Sequence, residues 1–581
     1  MSFTEAQNQA IESTGNVLLV AGAGAGKTKT LVEKCIRYLT DEKNKGSLDR
    51  VLMVTFTEAA AKEVRERIQA MLESRLNLDQ GSQHLQEQLA KLDQAHISTL
   101  HGFCNYLVRK YILDLNLSPS FRICTDKTQQ SIIEKTFESL FEELEGDPES
   151  EPFFTQYCEG GEKTFKSLIL KLFFYSQSQP FPEAWLKGLQ ENIQSLETWK
   201  NLLKDQWLKQ REVWRDLARR YDSPKSTDIY NALNKVQDSS DLSSWSAAVC
   251  HLDQLTKEAP TDIRVGKSYT RACQDLAFIY QLTGSEGDDF KQLSQDYALH
   301  SQSIRAVTKI CLTFHKLYQK AKREQGFLDF SDLEQYALQL LWDHDRKKPS
   351  ELACELRNDF DLIFVDEFQD INKVQDTIIR AISIPETGKG LFLVGDVKQS
   401  IYRFRLADPT IFLDYQDHWK TLDSQHGKVI SLQENFRSHE TILHFVNDIF
   451  QHFMKSPVGG IEYDQDAELR FSDGGNRSHF KKRIFPEEVQ IQTWAKDKSG
   501  PVTDPETGEE TENPGELIVE SRNVAQTIRG LVQSGYPIFE SDGSSRPVKF
   551  EDIAILVSSK KAVIEPLARE FAAAGVPLYA V

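Results

Sequence analysis

The chain has 581 residues, 40 % of them hydrophobic and 27 % charged, which is the balance of a soluble globular protein and enough for three or four domains. No apolar run approaches the ~20 residues needed to span a bilayer. The start, MSFTEAQNQAIE, lacks the basic and apolar regions of a secretory signal, and the eight cysteines are scattered singly with no C-x-x-C or Cys/His cluster. These features argue against a membrane protein, a disulfide framework and a zinc site, and make a reducing cytoplasm the expected location. The net charge of −18 argues weakly against a polyanionic partner, although a locally basic channel would satisfy one.

In chain order, residues 15–58 read as strand, glycine loop, helix and strand. NVLLVA (16–21) is an apolar run, GAGAGKT the loop, KTLVEKCIRYLT a stretch with apolar positions at helical spacing, and RVLMVTFT (50–57) a second buried run. Runs apolar on both faces and separated by a helix predict a parallel α/β sheet. Residues 105–325 change texture to long amphipathic stretches such as SIRAVTKICLTFHKLYQKAKRE, where Ile304, Val307, Cys311, Phe314 and Leu317 or Tyr318 share one stripe. A helical domain inserted into the α/β domain follows from this, with EELEGDPESEP (142–152) as a solvated loop. Two more buried runs, DLIFVDE (361–367) and GLFLVGD (390–396), return the chain to the sheet.

A third region is expected from 430. KDKSGPVTDPETGEETENPGE (496–516) reads as a mobile loop. DIAILV (552–557), a helix to Ala574, Gly575 as its C-cap, and VPLYAV (576–581) read as a βαβ unit. The chain stops inside the last of these strands, so the unit reads as interrupted.

The chemistry lies in the loops after the apolar runs. Ala21, Gly22, Ala23, Gly24, Ala25, Gly26, Lys27 and Thr28 form a phosphate-binding loop, whose glycines let backbone N–H groups converge at the start of a helix. Lys27 suits the β- and γ-phosphates and the Thr28 hydroxyl suits Mg2+. LIFVDE supplies the acidic partner: Asp366 to hold the metal and Glu367 to polarise the attacking water. The long separation of Lys27 from Asp366 independently requires an insertion between them.

DEFQD (366–370) resembles motif II of UvrD-type superfamily 1 helicases, and the other motifs stand in the family's order. They are FTEAQNQAI (3–11), TFTEAAAKEVRERI (55–68) as motif Ia, STLHGFC (98–104) as motif Ib, VGDVKQSIYRFRLADP (394–409) as motif III and LQENFRS (432–438) as motif IV. The spelling GDVKQSIYRFRLADPTIF and the segment GGIEYDQDAEL (459–469) are closest to the AddA branch, with RecB or another relative as the alternative.

The resemblance implies an ATP- and Mg2+-dependent helicase or translocase on single-stranded and partly duplex DNA, moving 3′ to 5′, in double-strand-break repair and recombination, with an AddB-like partner subunit. Its fold would be a RecA-like motor domain 1A (1–104 and 326–429), a helical insertion 1B (105–325) and the start of a second RecA-like domain 2A (430–581). Motifs V and VI and a nuclease domain would lie beyond 581.

Position by position, the resemblance places Gln7 and Lys29 near the adenine and Gln369 and Gln399 as links between nucleotide and DNA. Phe436 would stack on the base, and Arg437 would stabilise charge on the transferring phosphate. Phe56, Thr57, Thr99, His101, Phe404 and Arg405 fall at DNA-contacting positions. Plainer readings stand beside these: Phe56 as core, His101 as a local hydrogen-bonding residue, Arg405 as a brace of motif III, and most charges of KEVRERI as a solvated helix face. Two other readings remain at this level: an ATP-gated DNA-binding module that does not translocate, and a small-molecule kinase using the same loop.

Overall fold

The computed structural model describes residues 3–41, 46–78, 82–148, 150–159, 161–191, 195–202, 291–384, 390–421, 427–455, 461–472, 516–540, 544–557 and 560–579, with a few positions between them. Its centre is one six-stranded sheet. In chain order the strands are β1 (Val17–Ala21), β2 (Val51–Thr55), β3 (His96–Thr99), β4 (Leu362–Val365), β5 (Leu391–Gly395) and β6 (Lys428–Leu432). They lie in the order β6-β1-β5-β4-β2-β3, and every pairing is parallel.

Successive side chains of a strand point to opposite faces, so a strand covered on both must be apolar throughout. Leu18, Leu52, Val54, Val365 and Leu393 enter one core, while Leu19, Met53, Phe364, Phe392 and Val394 enter the other. The helix Lys27–Thr40 packs Leu31, Val32, Cys35 and Ile36 into the second core. Buried Lys34 on that helix donates to the carbonyls of Ala10, Ile11 and Ser13, tying down the C-terminal end of the helix Glu5–Glu12.

The four strands expected from apolar runs are present, and two further strands complete the sheet. β6 pairs with β1 from Val17↔Lys428 to Ala21↔Leu432, so the boundary expected at 430 falls inside a strand of the first sheet and must lie later. As an edge strand it is buried only at alternate residues, Ile430 and Leu432, and its sequence lacks a continuous apolar run.

Among the described residues between 126 and 324 the chain is helical, without strands. The helices Asp126–Leu144, Glu162–Gln177 and Lys291–Glu324 enclose their own core of Phe137, Phe165, Phe173, Phe314 and Tyr318. Leu317 is only partly buried, so the stripe turns through Tyr318. The chain leaves and re-enters the sheet region where Arg122–Ile123 pairs in parallel with Phe327–Leu328. The expected start at 105 is too early: it falls inside the helix Leu100–Lys110, whose Leu107 and Val108 belong to the core under the sheet. In the acidic stretch 142–152 the helix ends at Leu144, and Asp147 pairs with Lys309 at 2.9 Å.

The neck is fixed by a buried charge cluster. Lys322 Nζ, 1 % exposed, donates to Asp329 at 2.7 Å and to Asp332 at 2.6 Å, the two residues of the capping box that starts the helix Phe330–Leu341.

Further along, the helices Glu516–Gln533 and Lys560–Ala574 pack through Ala525, Ile528, Leu567 and Phe571. Gly575 does cap the second helix, with φ +69° and the amides of Gly575 and Val576 bonded to Ala572 and Phe571. The flanking strands are a correction: residues 553–557 and 576–579 form no ladder with any described residue, and Leu556 is 96 % and Tyr579 88 % exposed. Extended apolar residues become a strand only when a neighbour supplies hydrogen-bond partners. The loop expected at 496–516 lies largely outside the described residues; Val502–Thr503 and Glu510–Thr511 within it pair antiparallel. No helix among the described residues is long and apolar enough to cross a membrane.

Candidate active site

All the motif residues that follow strands lie at one edge of the sheet, because parallel strands present their C-terminal ends together. β1 opens into the phosphate loop, β4 into Asp366 and Glu367, β5 into Asp396 and Gln399, β2 into Phe56, and β6 into the segment holding Phe436 and Arg437.

The phosphate loop is held from outside by its carbonyls. The Ala23 carbonyl accepts from Asn435 Nδ2 at 2.6 Å, that of Gly24 from the Phe436 amide at 2.8 Å, and that of Ala25 from Gln7 Nε2 at 3.0 Å. A planar trans peptide directs its N–H opposite to its carbonyl, so the amides of Gly24 and Gly26 are turned into the concave side. Gly24 (φ +73°) and Gly26 (φ +82°) adopt left-handed conformations, and a Cβ at Gly24 would lie 2.7 Å from Asn435 Nδ2 and 2.8 Å from Arg437 Cβ. Ala21, Gly22 and Ala25 are buried around this turn. The helix from Lys27 to Thr40 then adds its N-terminal end.

Lys27 Nζ meets both carboxylate oxygens of Glu367 at 2.9 Å. Glu367 sits at φ +50°, an unusual conformation for a residue with a side chain. A polar chain continues from it. Gln369 Nε2 donates to Glu367 at 2.8 Å, the Asp396 amide donates to Gln369 Oε1 at 2.9 Å, and Gln399 Nε2 donates to Asp396 at 2.7 Å. Burial, with the Glu367 charge beside it, pushes the Asp366 carboxyl up to about 6 despite Lys27. Asp370 rises to about 6 for the same two reasons. The Asp366 carboxylate and the Thr28 hydroxyl, on the first turn after the loop, are hard oxygen donors of the kind Mg2+ takes.

On the far lip, Phe436 is half-buried and Arg437 exposed. Lys29 does not face them: its ammonium lies over the Phe3 ring at 4.4 Å. Gln7 has both ends of its amide engaged, accepting from Thr4 N and donating to Ala25, so here it braces the loop.

Of the six residues at DNA-contacting positions, three gather on one exposed surface. Phe56 is half-buried rather than core, its ring 4.8 Å from Tyr402; Tyr402 is 5.8 Å from Phe404, which is 78 % exposed. The Arg405 guanidinium lies over Tyr402 at 5.2 Å. The other three have local partners. Thr57 Oγ1 accepts from Ala60 N at the start of the helix Glu58–Leu78, and Thr99 Oγ1 accepts from Gly102 N and donates to Glu58. His101 Nε2 lies 2.9 Å from Glu334; burial alone would lower its pKa, but this carboxylate outweighs it and raises the pKa. In KEVRERI, Lys62–Glu66 and Arg67–Glu63 are exposed i,i+4 pairs, while Arg65 bonds the carbonyls of Leu92 and Ile97.

Beside Phe404 opens a cleft of about 800 Å3, walled on the other side by Lys163, Lys171 and Tyr175 of the helix Glu162–Gln177. Neither Tyr402 nor this wall stood out in the sequence, although Lys163, Ser167, Lys171 and Tyr175 recur every four residues along one helical face. Asn435 was equally hidden, because its partner Ala23 is 412 positions away.

Residues 3–420 match the UvrD/REP helicase N-terminal domain family. The whole chain aligns with proteins named as the AddA subunit of an ATP-dependent helicase/nuclease: at 33 % identity with one from Clostridium beijerinckii, and at 32 % with those from Bacillus anthracis and Clostridioides difficile. It covers 50, 49 and 50 % of their respective lengths, so it spans about half of the curated relatives it matches. With a sheet edge that carries the phosphate loop, the acidic strand end and the glutamines between them, and a family match over most of its length, the chain belongs to the UvrD/REP helicase family.

Proposed function

We propose that this chain carries the ATP-driven motor machinery of an AddA-type helicase–nuclease, translocating 3′ to 5′ on single-stranded DNA during double-strand-break repair and recombination beside an AddB-like partner. The second motor domain expected after β6 belongs to this proposal too. The observation that carries the ATPase reading is the Lys27–Glu367 contact at 2.9 Å, flanked by Asp366 and within one polar chain of Gln399.

In this reading the contact is the resting arrangement. Nucleotide phosphates entering the loop draw Lys27 away, and Glu367 is released to orient a water and take its proton as the water oxygen bonds to Pγ and the Pγ–O bond to the departing ADP breaks. Thr28 and Asp366 would hold Mg2+, which would supply neutralisation of the phosphate charge. Gln399 reports the γ-phosphate, Arg437 meets the charge that develops on it, and Phe436 stacks on the adenine. The Phe56–Tyr402–Phe404 surface receives unstacked bases, and the lysines across the cleft hold the strand's phosphates.

Nucleotide titration and DNA-stimulated turnover of two variants test the reading. Lys27→Ala should abolish ATP binding. Glu367→Gln should bind ATP at least as tightly as wild type, since Lys27 loses its competing anion, yet hydrolyse it at least 100-fold more slowly. Normal turnover by Glu367→Gln sinks the assignment.

A further inference from the structure

We propose that Asn435 is a positioning residue of the ATPase site, holding the phosphate loop and the turn that carries Arg437 as one unit. The inference rests on the ATPase reading above and deepens it. Asn435 is 1 % exposed, and both ends of its side-chain amide are used. Its Nδ2 donates to the Ala23 carbonyl at 2.6 Å, on the outer side of the loop. Its Oδ1 accepts from the amides of Arg437 at 2.8 Å and Ser438 at 2.7 Å, which shapes the backbone at Arg437 as an Asx turn does. The neighbouring peptide adds Phe436 N to Gly24 O at 2.8 Å, and there is no room for a Cβ at Gly24.

The consequence is geometric. An arginine that stabilises a transferring phosphate must stand at a fixed distance from the loop that cradles the other phosphates, because a misplacement of about 1 Å costs on the order of 100-fold in rate. Arg437 is exposed and long, so its own side chain does not fix that distance. Asn435 does so, through a single rigid amide bonded to both parts. It is buried with its amide committed to Ala23, Arg437 and Ser438, so its effect on turnover must pass through Arg437 and the loop.

The test is a double-mutant cycle in the intact protein, reading kcat and KM for ATP with saturating single-stranded DNA. Asn435→Asp keeps the acceptor for the Arg437 and Ser438 amides but places an oxygen against the Ala23 carbonyl. Arg437→Ala should lower kcat roughly 100-fold or more. Asn435→Asp should lower kcat at least about 10-fold, with a smaller change in KM, and the double variant should lie within about 3-fold of Arg437→Ala. A general structural defect would instead multiply the two losses, and that result overturns the proposal. Asn435→Ser, whose hydroxyl can still accept from the turn but cannot span to Ala23, enters the same cycle if the Asp variant does not fold. Wild-type kcat in Asn435→Asp beside a slow Arg437→Ala also overturns the positioning role, whereas wild-type kcat in Arg437→Ala overturns the reading of the site on which it rests.

Discussion

Phe404 is an aromatic ring 78 % exposed at the end of a three-ring row, beside a guanidinium and across a cleft from Lys163, Lys166 and Lys171. Burying such a ring would release ~2 kcal/mol or more of hydrophobic free energy, so its exposure calls for an occupant. A nucleic-acid base fits, because stacking on an aromatic face is worth roughly 1–3 kcal/mol and tolerates any sequence. Phe404→Leu keeps apolar bulk and loses the face. It should weaken single-strand affinity about 5-fold or more in an anisotropy titration and leave the melting temperature within about 1 °C. Phe56→Leu should weaken affinity less, because Phe56 reaches the surface through Tyr402. If Phe56→Leu lowers the melting temperature and spares affinity, that ring is packing only. At this scale the sequence conveys residue type and strand-end position well, which is why the meeting of Lys27 with the acidic strand end at Asp366 and Glu367 is legible, whereas Phe404 is placed only by its motif. It does not convey which local partner a polar side chain finds. Thr57 and Thr99 cap helices, His101 meets Glu334, and Lys29 rests on Phe3, each a contact settled by three-dimensional packing.

Elements were legible where burial on two faces forces a continuous apolar run, as in β1, β2, β4 and β5. β6, buried on alternate residues at the sheet edge, escaped, and the boundary at 430 was misplaced with it. The opposite error occurred at 553–557 and 576–579, where apolar residues lack a paired neighbour among the described residues. The helix Glu162–Gln177 shows how an element can serve two faces. Phe165, Ile169 and Phe173 fill the insertion's core, and Lys163 and Lys171 line the cleft. Lys166 is committed to Glu134 and Glu162, both at 2.8 Å. Reversing the charges in Lys163→Glu/Lys171→Glu should therefore weaken single-strand binding at every sequence. It should also flatten the plot of log affinity against log salt by about one unit or more, as loss of phosphate contacts requires. Lys166→Glu should act chiefly on stability; an equal salt slope in wild type and the double variant rules out the cleft as a phosphate track.

The helix Lys373–Ile382 carries a titratable strain of its own. Burial pushes the Asp376 carboxyl up to about 6, and Asp414 adds to this while Arg380 and a hydrogen bond from Tyr415 at 3.1 Å oppose it. The folded pKa lies above the unfolded value of 3.8, so the folded state holds this proton more tightly. The stabilisation is full below pH 4 and is lost as pH rises through about 6, at most ~3 kcal/mol at neutral pH. Asp376→Asn keeps an acceptor for Tyr415 and removes the charge. Its melting temperature should exceed wild type by several degrees at pH 7.5, and the difference should nearly vanish at about pH 3.5, below the unfolded value. A gain of equal size at both pH values would mean that ionisation is not the cause.

Across the whole molecule, the aromatic surface and the phosphate loop are joined by a ring contact, a short stretch of one loop and a run of hydrogen bonds. Phe56 meets Tyr402, which shares a loop with Gln399; Gln399 holds Asp396, the Asp396 amide holds Gln369, Gln369 holds Glu367, and Glu367 holds Lys27. From Gln399 to Lys27 every link is a hydrogen bond of 2.9 Å or less between partly or fully buried groups, the setting in which such bonds reinforce one another. Spatial continuity alone does not establish coupling, which is a free energy measured between two sites. Gln369 is the informative place to measure it, since it is 2 % exposed, touches neither surface, and faces Glu367 with one end and Asp396 with the other. Gln369→Met preserves bulk and removes all three side-chain bonds, to Glu367, to Asp370 and from the Asp396 amide, leaving that amide unsatisfied at a cost of ~1–3 kcal/mol in stability. If Gln369 carries the signal, the ratio of ATP turnover with and without single-stranded DNA should fall close to one, while the separate affinities for ATP and for DNA change less than about 3-fold. A turnover ratio that stays at the wild-type value, with both rates lowered in parallel, would place the coupling outside this chain of contacts and leave Gln369 as a structural support of the acidic strand end.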